Sequence, residues 1–213
     1  FRRNSKILRV PMTVDPERFS NVQNESEVKK ITYCGNMGSL DNVDILINAF
    51  KIILKKHKDV TLLIIGDILF NPEYNTLMKQ VRNLKIENKV LFTGRLNREE
   101  VPIYLCNSTV LALASSLSQR SSGSLPSKLG EYLCTGNPVV TTSVGEIPIY
   151  LKDNESAYLA EPGSVESFAF KLDAALSDVE LSKKIGQKGK EVALKNFDYK
   201  IQSKMIINFI NEF

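Results

Sequence analysis

The chain has 213 residues, of which 43% are hydrophobic and 24% charged, as is ordinary for one large globular domain or two small ones. Its net charge of +4 suits an anionic ligand or an anionic membrane surface. The charge is too weak to indicate nucleic-acid binding, since the chain has no Trp and no arginine-rich block. No apolar run reaches the roughly 18 residues of a membrane-spanning helix.

The few cysteines and the single histidine restrict the possible chemistry. Cys34, Cys106 and Cys134 are widely spaced and odd in number, which predicts a reducing compartment and no disulfide framework. One histidine disfavours a His-ligated metal site and a Ser-His or Cys-His nucleophile. His57 lies in KKHKD at a predicted helix end, and we expect it to be solvated. A chain that starts at Phe1 without a signal peptide is expected to be a fragment of a cytoplasmic protein.

Short apolar runs alternate along the chain with longer amphipathic stretches. The predicted strands are 29–35, 60–67, 89–95, 109–115, 137–143 and 156–162. The predicted helices are 41–57, 73–85, 98–106, 127–135, 146–151, 165–177, 180–195 and 199–212. Several strands are continuously apolar, as parallel strands covered on both faces are. The alternation predicts an α/β fold with a doubly wound parallel, Rossmann-like sheet and carboxyl-terminal helices.

The last predicted helix is amphipathic. Ile201, Met205 and Phe209 share one stripe, which predicts packing on this domain or on a missing neighbour. A helix lying on a membrane surface is the alternative interpretation.

Glycines and polar residues follow the predicted strands, where open α/β sheets bind ligands. The first loop is Gly35-Asn36-Met37-Gly38-Ser39, and Gly66-Asp67, Gly94-Arg95-Leu96 and a long Ser-rich stretch, 115–124, follow later strands. Glycines let a ligand approach backbone N–H groups, although a plain βα turn explains the first loop equally well.

The stretch PSKLGEYLCTGNPVV holds the strongest candidates. Pro126 suits the first position of a helix, so the free N–H groups of Ser127 and Lys128 would face the ligand crevice. Lys128 adds a cation, and Glu131, one turn later, is placed to reach the vicinal hydroxyls of a sugar. Each has a structural alternative as a cap, a solvated lysine or a first-turn acid. Together they favour a nucleotide diphosphate site.

These segments occur in an order that is typical of a known family. ILRVPMTVDPERF, YCGNMGSLDNVDILINAF, VTLLIIGD, KVLFTGRL, PSKLGEYLC and GNPVVTTSVGEIP follow one another from about residue 8 to the end. The chain resembles the carboxyl-terminal, donor-binding domain of family 4 (group 1) glycosyltransferases, whose GT-B fold has two Rossmann-like domains. The resemblance implies an interdomain linker at 1–22 and a nucleotide-sugar binding domain at 23–213. It also implies an amino-terminal acceptor domain that is absent from this chain.

The resemblance implies a hexosyltransferase of polysaccharide biosynthesis. Such an enzyme moves a sugar from a nucleotide diphosphate sugar, here expected to be a UDP-sugar, to a glycan or lipid-linked acceptor with retained anomeric configuration. No metal, no other cofactor and no nucleic-acid partner are expected. The protein is expected in the cytoplasm, with peripheral contact at the inner membrane face as a further expectation. The fragment is expected to bind donor without transferring sugar, because the acceptor site lies in the other domain.

The resemblance also assigns residue roles. Glu131 matches the ribose-binding glutamate, and Lys128 and Glu131 are the two residues expected to act in catalysis. Ser127 and Lys128 match the helix end that holds the distal phosphate. The remaining donor-binding positions are Gly35, Asn36, Gly38 and Ser39 near the diphosphate, Arg95 and Leu96 at the nucleobase, and Ser124 and Leu125 before the helix.

Two departures from the family pattern leave alternatives open. Gly123 stands where the family has a glutamate that contacts the transferred sugar, and the first loop lacks the usual Arg and Lys. Lys128 is hypothesised to supply the missing charge. The alternatives are a catalytically degenerate nucleotide-binding or scaffold partner and a GT-B nucleotide-sugar epimerase. The epimerase would need histidine and carboxylates in its site, and a single histidine speaks against it.

Overall fold

Six parallel strands form one sheet in the computed structural model, which describes residues 6–22, 28–38, 40–117 and 125–212. The strands are β1 Lys30–Cys34, β2 Thr61–Ile65, β3 Val90–Gly94, β4 Val110–Leu113, β5 Val139–Thr142 and β6 Tyr158–Ala160. Their order across the sheet is β3-β2-β1-β4-β5-β6, and every pairing is parallel. This order confirms the predicted doubly wound, Rossmann-like fold.

Helices connect the strands as the amphipathic stretches predicted. They are α1 Val43–Ile53, α2 Glu73–Asn83, α3 Val101–Cys106, α4 Ser127–Cys134, α5 Ile147–Tyr150, α6 Val165–Ser177, α7 Val179–Asn196 and α8 Tyr199–Asn211. Two short 3-10 helices, Pro16–Phe19 and Glu87–Lys89, were not predicted. Both are a single turn, too short for a hydrophobic period to show.

The core lies on both faces of the sheet. β4 and β5 are buried along their whole lengths, as strands without a solvent-facing side must be. α1 presents Leu46, Ile47 and Phe50 to the core and packs against α6 and α2. α4 packs against α7. Burial of this apolar surface is the main favourable contribution to folding.

The strand order reverses between β1 and β4. From β1 the chain adds β2 and β3 on one side, and it then crosses to place β4, β5 and β6 on the other. β1 and β4 are paired through Ile31 opposite Val110. The crevice outside the carboxyl ends of such a pair is the usual ligand position in open α/β sheets.

Residues 6–22, here called the leading segment, are attached to the sheet domain. The Val14 N–H donates to the Phe197 carbonyl at 2.8 Å, and the Tyr199 N–H donates to the Val14 carbonyl at 3.1 Å. Phe19 is buried in the core. The segment is therefore held against α7 and α8 at one point and against the core at another.

Two local predictions were wrong. His57 is 9% exposed, with Nε2 2.6 Å from Oδ1 of Asp173, because α6 packs over the end of α1 and covers it. Pro126 lies before α4 in an extended conformation, and Ser127 is the first helical residue.

The stripe on α8 is only partly covered. Gln202 is the one buried residue described on this helix, and Ile207 and Ile210 are exposed. Ile201, Met205 and Phe209 line a groove, and Leu8 of the leading segment lines it as well. Within the described ranges, no helix combines the length and hydropathy needed to span a membrane.

Candidate functional site

A cleft of about 270 Å³ opens at the carboxyl ends of β1, β2 and β3, here called the edge cleft. Its lining residues are Cys34, Gly35, Asn36, Ile65, Gly66, Asp67, Arg95, Leu96 and Val101. Four predicted site residues, from two separate loops, are therefore brought together: Gly35, Asn36, Arg95 and Leu96.

The first loop is tightly packed at Gly35. The Gly35 N–H donates to the Ile65 carbonyl at 2.9 Å, which ties the loop to the end of β2. A Cβ at position 35 would lie 2.5 Å from both Lys128 Nζ and the Tyr33 hydroxyl oxygen. Glycine is therefore needed for α4 to bring Lys128 so close to the loop.

Lys128 is ion-paired across the first loop. Its Nζ lies 2.6 Å from Oδ1 of Asp41, and the Tyr33 hydroxyl donates to Oδ2 of Asp41 at 2.6 Å. The same hydroxyl accepts the Met37 N–H at 2.9 Å. Burial, with the Asp41 charge beside it, raises the pKa of Tyr33 far above its ordinary value, so the phenol remains a donor. Asp41 thus balances much of the Lys128 charge in this structure.

Glu131 is ion-paired to the leading segment. Arg18 Nη1 donates to Glu131 Oε1 at 2.7 Å, and Arg18 Nη2 donates to the Arg98 carbonyl at 2.8 Å. The Glu131 side chain remains 29% exposed, so a ligand can reach it.

Tyr132 joins α4 to the end of β1. Its hydroxyl accepts the Cys34 N–H at 2.6 Å and donates to the Cys34 carbonyl at 3.0 Å. Burial raises the pKa of the Cys34 thiol to about 11, with the Glu131 charge adding to the rise and the Lys128 charge opposing it. The charges of Lys128 and Glu131 therefore both act on Cys34, which lines the edge cleft.

In the part of the chain that the structure describes, no side chain caps the amino end of α4. Ser127 is exposed, and the first N–H groups of an α-helix have no carbonyl within the helix to bond. The helix dipole adds partial positive charge at this end. Leu125 precedes it and packs against the core. An anion at this helix end would meet backbone donors and the Lys128 ammonium, which is already paired with Asp41.

The structure does not cover every predicted residue. Ser39 and Ser124 lie outside the described residues, as does Gly123. Sequence reasoning missed Arg18, Tyr33 and Asp41. Asp41 was visible as the acid of a loop without cations, and Arg18 as the one basic residue of DPERF.

Metal ligands are not clustered in the described ranges. Within them, no group of three or more His, Cys, Asp or Glu side chains is arranged to hold a metal ion.

Comparison with known proteins gives one consistent family. Residues 15–192 match the family "Glycosyl transferases group 1". A curated relative, N-acetyl-alpha-D-glucosaminyl L-malate synthase of Bacillus anthracis, is 32% identical over 81% of this chain and 42% of its own length. The chain spans about half the length of the curated relatives it matches over most of its length.

Solved structures share the fold. HepE of Anabaena, in complex with UDP and glucose, has a TM-score of 0.81 at 19% identity, covering 94% of this chain and 56% of that one. The C-terminal domain of the group 1 family protein LpcC of Francisella tularensis has a TM-score of 0.70 at 23% identity, covering 89% of this chain and 96% of that one. With six parallel strands, a cleft at their carboxyl edge and a family match over most of its length, the chain belongs to the group 1 glycosyltransferases and has the fold of their carboxyl-terminal domain.

Proposed function

We propose that the chain is the donor-binding half of a retaining hexosyltransferase that moves a sugar from a UDP-sugar to a glycan or lipid-linked acceptor. The observation that carries this proposal is the edge cleft, which lies beside Lys128 and Glu131 at the carboxyl edge of the sheet. A structural neighbour that holds UDP and glucose supports it. So does the name of the curated relative, which describes a glucosaminyl product.

Each part of the nucleotide has a proposed partner. Arg95 and Leu96 line the cleft and would contact the nucleobase, while Glu131 would accept hydrogen bonds from the ribose hydroxyls. The diphosphate would lie between the first loop, 35–39, and the amino end of α4, where Ser127 and Lys128 offer N–H groups and one ammonium.

The proposed chemistry is electrostatic. The bond between the anomeric carbon and the diphosphate oxygen breaks, and its electron pair leaves with the diphosphate. A hydroxyl oxygen of the acceptor forms the new bond to the anomeric carbon, and its proton passes to the departing diphosphate. Fixed N–H groups and Lys128 would stabilise that developing charge without a metal ion. Asp41 competes for the same ammonium, so Lys128 is shared between a carboxylate and the departing phosphate.

The domain arrangement is part of the proposal. Residues 1–22 would be the linker and 23–213 the donor domain, while the acceptor site would lie in a separate amino-terminal half. Any contact with a membrane surface is proposed for that half.

A calorimetric panel tests this function. We expect UDP to bind more tightly than GDP or ADP, and Glu131→Gln to weaken UDP binding about tenfold through loss of charged acceptors. Glu166→Gln, an exposed glutamate on α6, is the matched control and should leave the UDP affinity unchanged. Absence of heat with all three nucleotides would reject the donor site.

The same negative result would favour a degenerate scaffold partner. One observation favours this second candidate, since the Lys128 charge is already paired with Asp41. A nucleotide-sugar epimerase gains no support from His57, because that residue follows α1 at the amino edge of the sheet and pairs with Asp173.

A further inference from the structure

The Arg18 guanidinium joins the leading segment to two parts of the proposed donor site. It contacts Glu131 Oε1 through Nη1 and the Arg98 carbonyl through Nη2, at 2.7 and 2.8 Å. Arg98 lies in the same connection after β3 as Arg95 and Leu96, which line the edge cleft. One side chain therefore bridges the loop proposed for the nucleobase and the carboxylate proposed for the ribose.

Arg18 is itself held in place by its neighbours in the sequence DPERF. The Asp15 side chain accepts the Glu17 N–H at 3.1 Å and caps the 3-10 helix, in which Pro16 is the first residue. Phe19 is 3% exposed and anchors the helix in the core. The Arg18 guanidinium lies 5.6 Å from the centre of the Phe19 ring, and its side chain is only 19% exposed.

Among the described residues, Arg18 engages only one of the two carboxylate oxygens of Glu131. Within the described ranges, Oε2 of Glu131 accepts no hydrogen bond. A planar guanidinium bonded to Oε1 restrains the plane of the carboxylate. Oε2 is then presented in a fixed direction, as recognition of a vicinal diol requires.

We propose that Arg18 is a positioning residue for the donor site, which orients the Glu131 carboxylate toward the ribose hydroxyls of the nucleotide. This inference rests on the proposed function of Glu131. It makes the leading segment a structural part of the donor site, in addition to its place in the chain before the sheet.

The test compares UDP with 2′,3′-dideoxyuridine diphosphate by calorimetry. The ribose preference is the dissociation constant of the dideoxy compound divided by that of UDP. We expect Arg18→Gln to lower this preference about tenfold, since a charge-supported orientation is lost, while binding of the dideoxy compound is unchanged. Arg18→Lys keeps the positive charge but lacks the planar guanidinium with its two donor nitrogens. It should therefore recover part of the ribose preference that Arg18→Gln loses. Glu17→Gln, on the same 3-10 helix, breaks the ion pair with Lys200 and should leave the preference intact.

The outcomes separate this inference from the function it rests on. A wild-type ribose preference that Glu131→Gln abolishes and Arg18→Gln leaves intact would overturn the role of Arg18 alone. Equal weakening of both ligands by Arg18→Gln would show a merely structural role. A wild-type chain that binds neither compound would reject the proposed function and the inference together. If Arg18→Gln does not fold, as judged by circular dichroism, a wild-type preference in Arg18→Lys overturns the proposal.

Discussion

Lys128 and Asp41 set the charge at the candidate phosphate position. They are 87 residues apart in the chain, and their contact at 2.6 Å depends on α4 approaching the first loop. Tyr33 fixes Asp41 through a second hydrogen bond, so the carboxylate cannot rotate away from the ammonium without losing that bond. An incoming diphosphate therefore meets a cation that already has a partner.

Removing the cation of this pair and removing its anion should have opposite effects on the affinity for UDP. Lys128→Ala removes the cation and exposes the Asp41 charge to the phosphates, so we expect UDP affinity to fall at least about tenfold. Asp41→Asn removes the competing charge and should strengthen UDP binding a few-fold at low salt, with the gain reduced as salt screens it. Calorimetry at two salt concentrations measures both. An unchanged affinity of Lys128→Ala for UDP would contradict the charge-neutralising role assigned to that residue.

The elements were predictable because each depends on a local pattern. The continuous apolar runs around Leu62 and Leu111 predicted buried strands, and the helical spacing of Leu46 and Phe50 predicted α1. Their alternation was enough for the fold class, since crossovers between parallel strands have one hand, but it did not give the strand order β3-β2-β1-β4-β5-β6.

Local sequence patterns do not predict which side chains pair with one another in the site. Arg18 and Glu131 are separated by 113 residues, and nothing in DPERF or PSKLGEY specifies the partner. His57 shows the same limit, because its basic neighbours suggested a solvated side chain and α6, far along the chain, buries it. Contacts made by folded elements with one another are set by tertiary packing, which short-range periodicity does not encode.

α7 packs closely against the turn before β5 at Gly186. A Cβ at Gly186 would lie 2.3 Å from the Gly136 carbonyl oxygen and 2.7 Å from the Asn137 carbonyl carbon, both backbone atoms. Gly186→Ala should therefore push α7 from the turn before β5 and lower the free energy of unfolding by about 2 kcal/mol. Lys188→Ala, at an exposed position of the same helix, is the control and should change it by less than about 0.5 kcal/mol. Urea denaturation gives both values, and equal stability of the two variants would contradict the packing.

In the whole molecule, we propose that one half binds the donor and that sugar transfer needs both halves. The chain spans about half the length of the curated relatives it matches over most of its length, and we propose that its candidate site binds a nucleotide diphosphate. We expect the 213-residue chain to bind UDP and yet to release no UDP from UDP-sugars above a buffer blank, because the proposed acceptor half is missing. A coupled UDP-release assay with glycan and lipid-linked acceptors measures this. A full-length group 1 glycosyltransferase is the positive control. Sustained turnover by the isolated chain would contradict the assignment of donor binding to this chain and of the acceptor site to another domain.

The attachment of the leading segment also determines where the two ends of the folded unit lie. Val14 is hydrogen-bonded between Phe197 and Tyr199, and Lys6 forms an ion pair with Glu212 at 3.2 Å. Residues 6 and 212 are therefore spatial neighbours, although they lie at opposite ends of the described sequence. A unit whose ends meet can be closed into a ring by a short peptide and reopened at a surface loop, or inserted whole into a loop of a host protein.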